Sequence, residues 1–270
     1  MENSLGLSRR RVLLTGGMGL GVGLAGGAAR ALAASSNLMG VGRGPRPGAI
    51  GHKFNLDGGV RPFAGSTVIC HLEPGSAIHR VLTQVQGEAA QAAFMRKFTL
   101  LPASSLHMTV LPGVDDEHRA PPLWPDTVSA SAPIEVCNTW CAGQLREVHT
   151  GVSRPRMRPQ AILDIEKVAD FTVPLEARSG GEDQRLRHLR DRLSEALHIR
   201  APGHDTYRFH ITLGYQIEWL TAAEAEAFAT AYAGWMKRIA AAAPRIDLGR
   251  PEFCTFKDMF AFDRQFYLPA

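Results

Sequence analysis

Two short segments of the sequence decide the predicted fold: LHMTVL at residues 106–111 and FHITLGY at residues 209–215. Each is an apolar, β-branched run that predicts a strand, and each contains a histidine followed two residues later by a threonine. Alternation along a strand places His107 with Thr109 on one face, and His210 with Thr212 on one face of theirs. The intervening apolar residues are expected in the core. The two His–Thr pairs are therefore expected to face a cleft.

The surroundings of the two segments are also alike. The first follows a strand pattern at 66–72, a Pro-Gly turn and a helical pattern that reaches about residue 98. The second follows strand patterns at 160–165 and 171–175, a Gly-Gly break and a helix with a leucine stripe over 186–197. The sequence therefore predicts strands and helices arranged in two duplicated halves that face each other.

The C-terminal part of the chain adds one helix and one strand. Thr221 and Glu224 form a capping box before an Ala-rich helix that is predicted to reach about residue 243. Its aromatic residues recur at helical spacing and are predicted to lie in the core. The segment 252–256 is predicted to close the sheet.

The N-terminus carries a targeting pattern. SRRRVLL at 8–14 places paired arginines before a weakly apolar, Gly-rich segment, and ALA at 31–33 offers a small-x-small cleavage site. Residues 1–33 resemble a twin-arginine signal peptide, which predicts a periplasmic or secreted protein that meets the twin-arginine translocase during export. The alternative is an amphipathic helix, which the glycines oppose. Residues 34–53 are predicted to be a flexible linker and residues 54–270 the folded domain.

Composition and charge limit the class of partner. With 45% hydrophobic and 21% charged residues the chain is predicted to be globular. Removing residues 1–33 takes away four arginines and one glutamate, which lowers the net charge from +4 to +1. Such a balanced surface favours a small anionic substrate or an RNA end over a long duplex. The apolar stretch at 15–29 is too short and Gly-rich for stable membrane insertion. A monomer is expected.

The cysteines leave two readings open. Cys70, Cys137, Cys141 and Cys254 are even in number, and an oxidising destination would permit disulfides, although their pairing cannot be read from the sequence. CNTWC at 137–141 has a three-residue gap and no second ligand pair, so buried thiols or a disulfide are favoured over zinc.

The paired motifs suit one type of reaction. An in-line displacement at phosphorus needs a proton removed from the attacking oxygen and a proton given to the leaving oxygen, and histidine can do either near neutrality. His107 and His210 are therefore the candidate catalytic residues. The hydroxyls of Thr109 and Thr212 can donate to the non-bridging phosphate oxygens. Zinc bound by the two histidines is an alternative, but each motif supplies only one ligand, so the sequence predicts no metal and no cofactor.

At this point a resemblance to a known family is specific. SLHMTV at 105–110 and FHITL at 209–213 resemble the paired motifs of the two-histidine (2H) phosphoesterase superfamily. RPFAG at 61–65, LLP at 100–102, PGHDTY at 202–207 and PEFC at 251–254 resemble a bacterial and fungal branch of unknown function. The resemblance covers most of the chain from about residue 54. It implies an α+β, bilobal fold in which two pseudo-symmetric antiparallel sheets form a cleft, with one His-x-Thr motif from each sheet and helices on the outside. It also implies a phosphoric diester hydrolase similar to 2′,3′-cyclic phosphodiesterases.

The sequence reading is thus an exported, metal-independent phosphodiesterase. Its expected substrate is a cyclic phosphate or a small RNA or nucleotide phosphodiester, because members of the superfamily cleave different phosphodiesters and the resemblance does not transfer one. The alternative from another class is a non-catalytic exported protein that binds nucleotides or phosphate. Two intact histidines favour the enzyme, since binding alone needs no paired acid and base.

Three further residues are candidate substrate contacts. Tyr207 can stack on a base, Arg208 shares a strand face with His210, and Phe63 lies near a strand that can line the cleft. Tyr215, by alternation, is predicted to face the core.

Two other positions have open interpretations. His71 is predicted to be a core or edge residue. The pair His204-Asp205 is either a device that orients His210 or a simple turn.

Overall fold

The computed structural model describes residues 44–151, 153–160 and 170–270. It has four α-helices in the described residues, which are α1 (Ala77–Ala89), α2 (Ile134–Leu145), α3 (Gly180–Ala196) and α4 (Ala222–Ala242). Short 3₁₀ turns cover Ala93–Lys97 and Ala103–Ser105. The strands are β1 (Gly65–His71), β2 (Phe98–Leu100), β3 (His107–Asp115), β4 (Arg156–Pro159), β5 (Phe171–Ala177), β6 (His210–Gln216), β7 (Ile246–Asp247), β8 (Glu252–Asp258) and β9 (Ala261–Tyr267).

All strand pairs are antiparallel, and the main path of the sheet runs β7-β4-β5-β6-β3-β1-β8-β9. This order has four strands on either side of the junction between β6 and β3. The junction itself consists of one residue pair, Met108 opposite Ile211. Farther along, β6 pairs with the short strand β2 instead. The α+β fold is confirmed, and the two predicted sheets are the halves of one continuous sheet.

The two halves repeat the same unit. In the first, β1 and β3 are antiparallel neighbours with α1 between them in sequence, and in the second β5 and β6 are neighbours with α3 between them. Each helix starts at a serine whose side chain accepts a backbone N–H, Ser76 before α1 and Ser179 before α3. The predicted pseudo-repeat thus describes the topology, and its centre is the junction between β3 and β6.

Each motif strand carries a β-bulge directly after its threonine. Against β1, the register of β3 gains one residue at Val110, and against β5 the register of β6 gains one residue at Leu213. A bulge leaves the backbone of its extra residue partly unpaired, and a buried carbonyl without a partner is costly. The carbonyls of Val110 and Leu213 therefore need hydrogen-bond donors from outside the paired strands.

Buried side chains from the opposite half supply these donors. Arg190 on α3 donates to the carbonyl of Val110 and, at 3.1 Å, to that of His204. Gln86 on α1 donates at 3.0 Å to the carbonyl of Leu213. Each half thus braces the motif strand of the other, next to the threonine. These two contacts add connections between the halves, whose strand junction has a single residue pair.

The core contains the apolar stripes that the sequence predicts. The leucines of α3 at 186, 189 and 193 are buried, and so are Phe228, Tyr232, Trp235 and Ile239 of α4. The capping box of Thr221 and Glu224 is present at the start of α4. The aromatic residues of α4 are therefore core residues, as predicted.

One helix is shorter than predicted. The pattern favours a helix to about residue 98, but α1 ends at Ala89, and Phe98 starts strand β2 opposite Gln216 of β6. Tertiary pairing with a free strand edge overrides the local helical pattern there.

The predictions for the linker and the cysteines can also be compared with the structure. Within the predicted linker, Ile50 is buried and packs with Phe54, so ordered structure extends upstream of residue 54. The four cysteines are buried and unpaired. The predicted signal peptide at residues 1–33 and most of the predicted strand at 160–165 lie outside the described residues. In the part of the chain that the structure describes, no helix has the length and apolar character needed to cross a membrane.

Candidate active site

The strand junction brings the two His-x-Thr motifs side by side. Because Met108 lies opposite Ile211 in an antiparallel pair, the register sets His107 beside Thr212 and Thr109 beside His210. Met108 and Ile211 are fully buried, whereas the four motif side chains are partly exposed and line one cavity of about 390 Å³. The four side chains thus form a quartet on one face of the sheet.

Both imidazoles are held in the same way. The Nδ1 atom of His107 lies 2.6 Å from the carbonyl oxygen of Ser105, and Nδ1 of His210 lies 2.8 Å from that of Arg208. A carbonyl oxygen only accepts, so Nδ1 carries the proton in each ring. Nε2 is then the nitrogen left for a substrate, able to accept a proton when the ring is neutral and to donate one when it is charged.

The electrostatic environment of His107 favours its neutral form. The pKa of His107 is lowered to about 4: burial has the largest effect, the neighbouring His71 and His210 also lower the pKa, and the Ser105 carbonyl and Glu252 oppose them. The ring is partly exposed by area, yet it packs edge-on to Phe262 with the centroids 4.4 Å apart. At neutral pH His107 is therefore unprotonated and able to act as a base.

A second histidine stands next to His107. His71 is the β1 residue opposite His107 in the register, and the two ring centroids are 6.0 Å apart. The Nδ1 atom of His71 lies 2.5 Å from a carboxylate oxygen of Glu252, whose side chain is only 2% exposed. His71 is partly exposed at the end of its strand. The sequence analysis predicted a core or edge residue at this position and did not predict the contact with Glu252.

Tyr207 supports the quartet from the side of the second motif. Its side chain hydrogen-bonds Thr109, and its ring centroid lies 6.0 Å from that of His210. The guanidinium of Arg190 lies 4.1 Å from the centre of the Tyr207 ring. Burial raises the pKa of Tyr207 to about 12, so the hydroxyl stays protonated and can donate.

The rest of the cavity is mainly apolar, with one cation. Phe63 lines it as the sequence predicts, and so do Leu101, Phe256, Met259 and Phe262. Lys53 also lines it, with its ammonium 4.8 Å from the ring centre of Tyr215 and 5.4 Å from that of Phe63. No carboxylate forms an ion pair with Lys53 among the described residues. Sequence reasoning missed this lysine because it falls in the predicted linker.

The prediction that Tyr215 faces the core is wrong. Simple alternation from His210 would place residue 215 on the opposite face, but the bulge at Leu213 shifts the alternation by one residue. Tyr215 consequently lines the cavity together with Thr212.

Two other predicted residues lie elsewhere. Arg208 is exposed and does not line the cavity, and its part in the site is the backbone carbonyl that holds His210. His204 does not contact His210: its Nε2 atom lies 3.0 Å from Asp191, and its backbone carbonyl accepts from Arg190. The His204-Asp205 pair is therefore part of a loop anchored to α3.

Two clusters of possible metal-binding groups occur in the described residues, and neither fits a cation well. His71, Glu252 and Cys254 lie together, but Glu252 already pairs with His71 and, at 3.3 Å, with Arg264. Asp191, His204 and Asp205 also lie together, but Arg200 pairs with both carboxylates. Guanidinium groups thus occupy the charge positions that a metal ion would need.

Comparison with known proteins shows that part of the chain is similar to a family. Residues 53–165 match the family model 2H-phosphodiest, described as a domain of unknown function (DUF1868). This range contains the first motif and ends before the second. Among proteins with curated descriptions, none matches the chain.

One solved structure is similar over most of the chain. It is the conserved protein of unknown function ATU0111 from Agrobacterium tumefaciens str. C58, with 28% sequence identity and a TM-score of 0.76. The similarity covers 84% of this chain and 94% of that one.

Proposed function

We propose that this protein is a phosphodiesterase whose two motif histidines act on one in-line displacement at phosphorus. Phosphodiesterase-type activity in general is supported by the match of residues 53–165 to the 2H-phosphodiest family model. The finer assignment rests on one observation: two imidazoles, each with Nδ1 bonded to a carbonyl two residues earlier, stand with two threonines around one cavity.

The proposed reaction is a hydrolysis in which one histidine acts as base and the other as acid. The base takes a proton from water as the water oxygen forms its bond to phosphorus. The bond from phosphorus to the leaving oxygen breaks, and the acid gives that oxygen a proton. The product is a phosphomonoester, and exchange with solvent restores both histidines. Nε2 is the reacting atom in each ring because Nδ1 is engaged with the backbone.

The threonines are proposed to hold the phosphate. Each lies beside the histidine of the other strand in the register, so a phosphate between the imidazoles meets both hydroxyls. Tyr207, through its contact with Thr109, fixes one of them. Hydroxyl donors aimed at non-bridging oxygens stabilise the negative charge that develops in the transition state. The quartet supplies this chemistry without a metal ligand set.

The proposed substrate is a small nucleotide or an RNA end, such as a cyclic phosphate. A cavity of about 390 Å³ is of the size that takes a small ligand. Its aromatic wall and Lys53 suit a planar base and an anionic group. A duplex would need a broad basic surface, which the near-neutral charge of the chain after residue 33 does not provide.

A substrate screen tests this proposal. Purified protein is incubated with 2′,3′-cyclic nucleotides, 2′-5′-linked dinucleotides, ADP-ribose cyclic phosphate and RNA ends, with EDTA present. We expect one of these to be cleaved, and cleavage to be lost in His107→Ala. Tight binding of a nucleotide by the wild type without turnover would instead support the non-catalytic binding protein. Activity that EDTA abolishes and zinc restores would reject the metal-free reaction.

Export by the twin-arginine route is part of the same proposal. Its support is the sequence pattern at residues 8–14 and 31–33. That route reads the arginine pair itself. Replacing Arg9 and Arg10 by lysine is therefore expected to leave the precursor in the cytoplasm, as measured by cell fractionation. Unchanged export of the Lys-Lys variant would reject this route, and Arg43→Lys serves as a charge-matched control.

A further inference from the structure

The strands that flank the two motifs differ at one equivalent position. In the first half, the β1 residue opposite His107 is His71. In the second half, the β5 residue opposite His210 is Pro174. The motif strands, their bulges and the Nδ1 hydrogen bonds repeat, but the paired residue on the flanking strand is ionisable in only one of the two halves. This position is where the pseudo-symmetry of the site is broken.

His71 belongs to a series of polar contacts centred on the buried carboxylate of Glu252. Glu252 on β8 accepts from both the ring and the backbone N–H of His71, at 2.5 and 3.2 Å. Arg264 on β9 donates at 3.3 Å to the other oxygen of Glu252, and at 2.6 Å to the hydroxyl of Tyr267. Burial raises the pKa of Glu252, but the hydrogen bonds from His71 and Arg264 outweigh it and the net shift is downward. The carboxylate is therefore ionised, and it favours a proton on His71.

We propose that His71, held against Glu252, is a positioning residue that adds to the burial of His107 in disfavouring a proton on that ring, and so supports the base role of His107 and the acid role of His210. This inference rests on the proposed function. His71 does not line the cavity, so it acts through His107 and not on the substrate. A positive charge 6.0 Å from an imidazole disfavours a second positive charge there.

The groups around His107 agree with this assignment. His71 faces it from β1 and His210 from β6, and both lower its pKa; Glu252 on β8 raises it. Phe262 from β9 packs on the ring and carries no charge. The lowered pKa of about 4 arises first from burial, so His71 adds to an effect that the apolar packing begins. His210, opposite Pro174, has no such neighbour on its flanking strand.

NMR titration of the histidine side chains tests this in the full chain. In the wild type we expect the ring of His107 to gain its proton near pH 4. In His71→Gln the titration of His107 is expected to move upward by about one pH unit. In His71→Lys, which retains a positive charge, it is expected to stay within about a few tenths of a unit of the wild type. His188→Gln, an exposed histidine on α3, is the matched control and should change nothing.

Three results would overturn the proposal. One is a wild-type titration in which His107 takes up its proton before His71, and this measurement needs no variant to fold. Another is an unchanged His107 titration in His71→Gln. The third is an equal shift in His71→Gln and His71→Lys, which would show that only packing changed. Because the NMR measurement needs no turnover, it distinguishes failure of this inference from failure of the proposed reaction. If the protein does turn over, the acid limb of kcat/KM should move with the His107 titration.

Discussion

The half of the site built on β3 and the half built on β6 have the same motif and the same backbone. Each has a bulge after its threonine, a carbonyl that holds Nδ1 of its histidine, and a brace from the opposite helix. They differ in the residue that pairs with the motif histidine on the flanking strand. In one half this residue is His71, which contacts the buried Glu252, and in the other it is Pro174. The comparison teaches that repeated backbone geometry places the reacting groups, while the flanking strands distinguish their proton affinities.

The largest expected effect is the loss of either catalytic histidine. His107→Ala or His210→Ala is expected to lower kcat by roughly 10²- to 10⁴-fold, the usual contribution of a positioned proton-transfer group. Because both histidines act on one displacement, the double variant should lose less than the product of the two single losses. Steady-state kinetics on the cleaved substrate measures this. Full activity in either single variant would contradict the equal involvement of the two halves.

The two braces are expected to differ in their contribution to stability. Arg190→Met leaves the carbonyls of Val110 and His204 without their buried donor, and we expect the free energy of unfolding to fall by about 2 to 3 kcal/mol. Gln86→Leu should cost less, about 1 kcal/mol, because Gln86 donates from a neutral amide and Arg190 from a charged guanidinium. Gln86→Leu removes the donor to the Leu101 carbonyl, while the Leu213 carbonyl still accepts from the backbone N–H of Leu101. Urea unfolding of both variants provides the measurement. If Gln86→Leu lowers the free energy of unfolding as much as Arg190→Met or more, the difference expected between the two braces is wrong.

Next come the threonines. Thr109→Val and Thr212→Val are each expected to lower kcat/KM by about 10- to 100-fold, since each removes one donor to the phosphate. Thr109→Val should have the larger effect of the two, because it also releases the hydroxyl of Tyr207. Tyr207→Phe is the matched control: in it the difference between the two threonine variants should become smaller. A difference that survives in that background would exclude Tyr207 as its cause.

The last expected effect is a pH dependence of stability. The pKa of His107 is about 4 in the folded protein, below the ordinary value near 6.5. Between these two values the unfolded chain binds a proton that the folded protein does not, so His107 should make stability fall as the pH falls from about 6.5 to about 4. Above about pH 6.5 the ring is neutral in both states and has no such effect.

The measurement compares wild type with His107→Gln by chemical denaturation at a series of pH values. The variant should lose less stability than the wild type over this window. His210→Gln is the control from the other half of the site. A variant curve parallel to that of the wild type would mean that His107 is not desolvated as its pKa indicates.

The sequence predicted the α+β fold and the repeated unit well, because both depend on local patterns. Apolar alternation placed β1 and β6 within one residue at each end and the start of β3 within one residue, and the capping box placed the start of α4. The predicted end of β3 at Leu111 is wrong, because the strand continues through Pro112-Gly113 to Asp115. The same logic failed after α1, where β2 forms against a free edge of β6. Pairing across many residues has no local signal there.

The candidate site was predicted less completely than the fold. The His-x-Thr spacing and the position of Phe63 could be read directly, but Tyr215 was assigned to the wrong face because the bulge at Leu213 breaks the alternation. Lys53 was overlooked in a stretch without periodicity. Glu252 was seen only as part of a resembling segment, since a carboxylate that pairs with a histidine 181 residues away leaves no mark in the spacing.

The sequence by itself determined which side chains share a strand face, because the two-residue period of a strand is a local property of the backbone. It therefore determined that each histidine goes with its threonine and that two such pairs exist. Only the tertiary structure decided that the pairs meet through Met108 and Ile211, and that His71 and Glu252 stand behind one of them. The reason is physical: pairing of distant strands and burial of charges depend on the whole packed sheet, and these set the environment in which a proton is held or released.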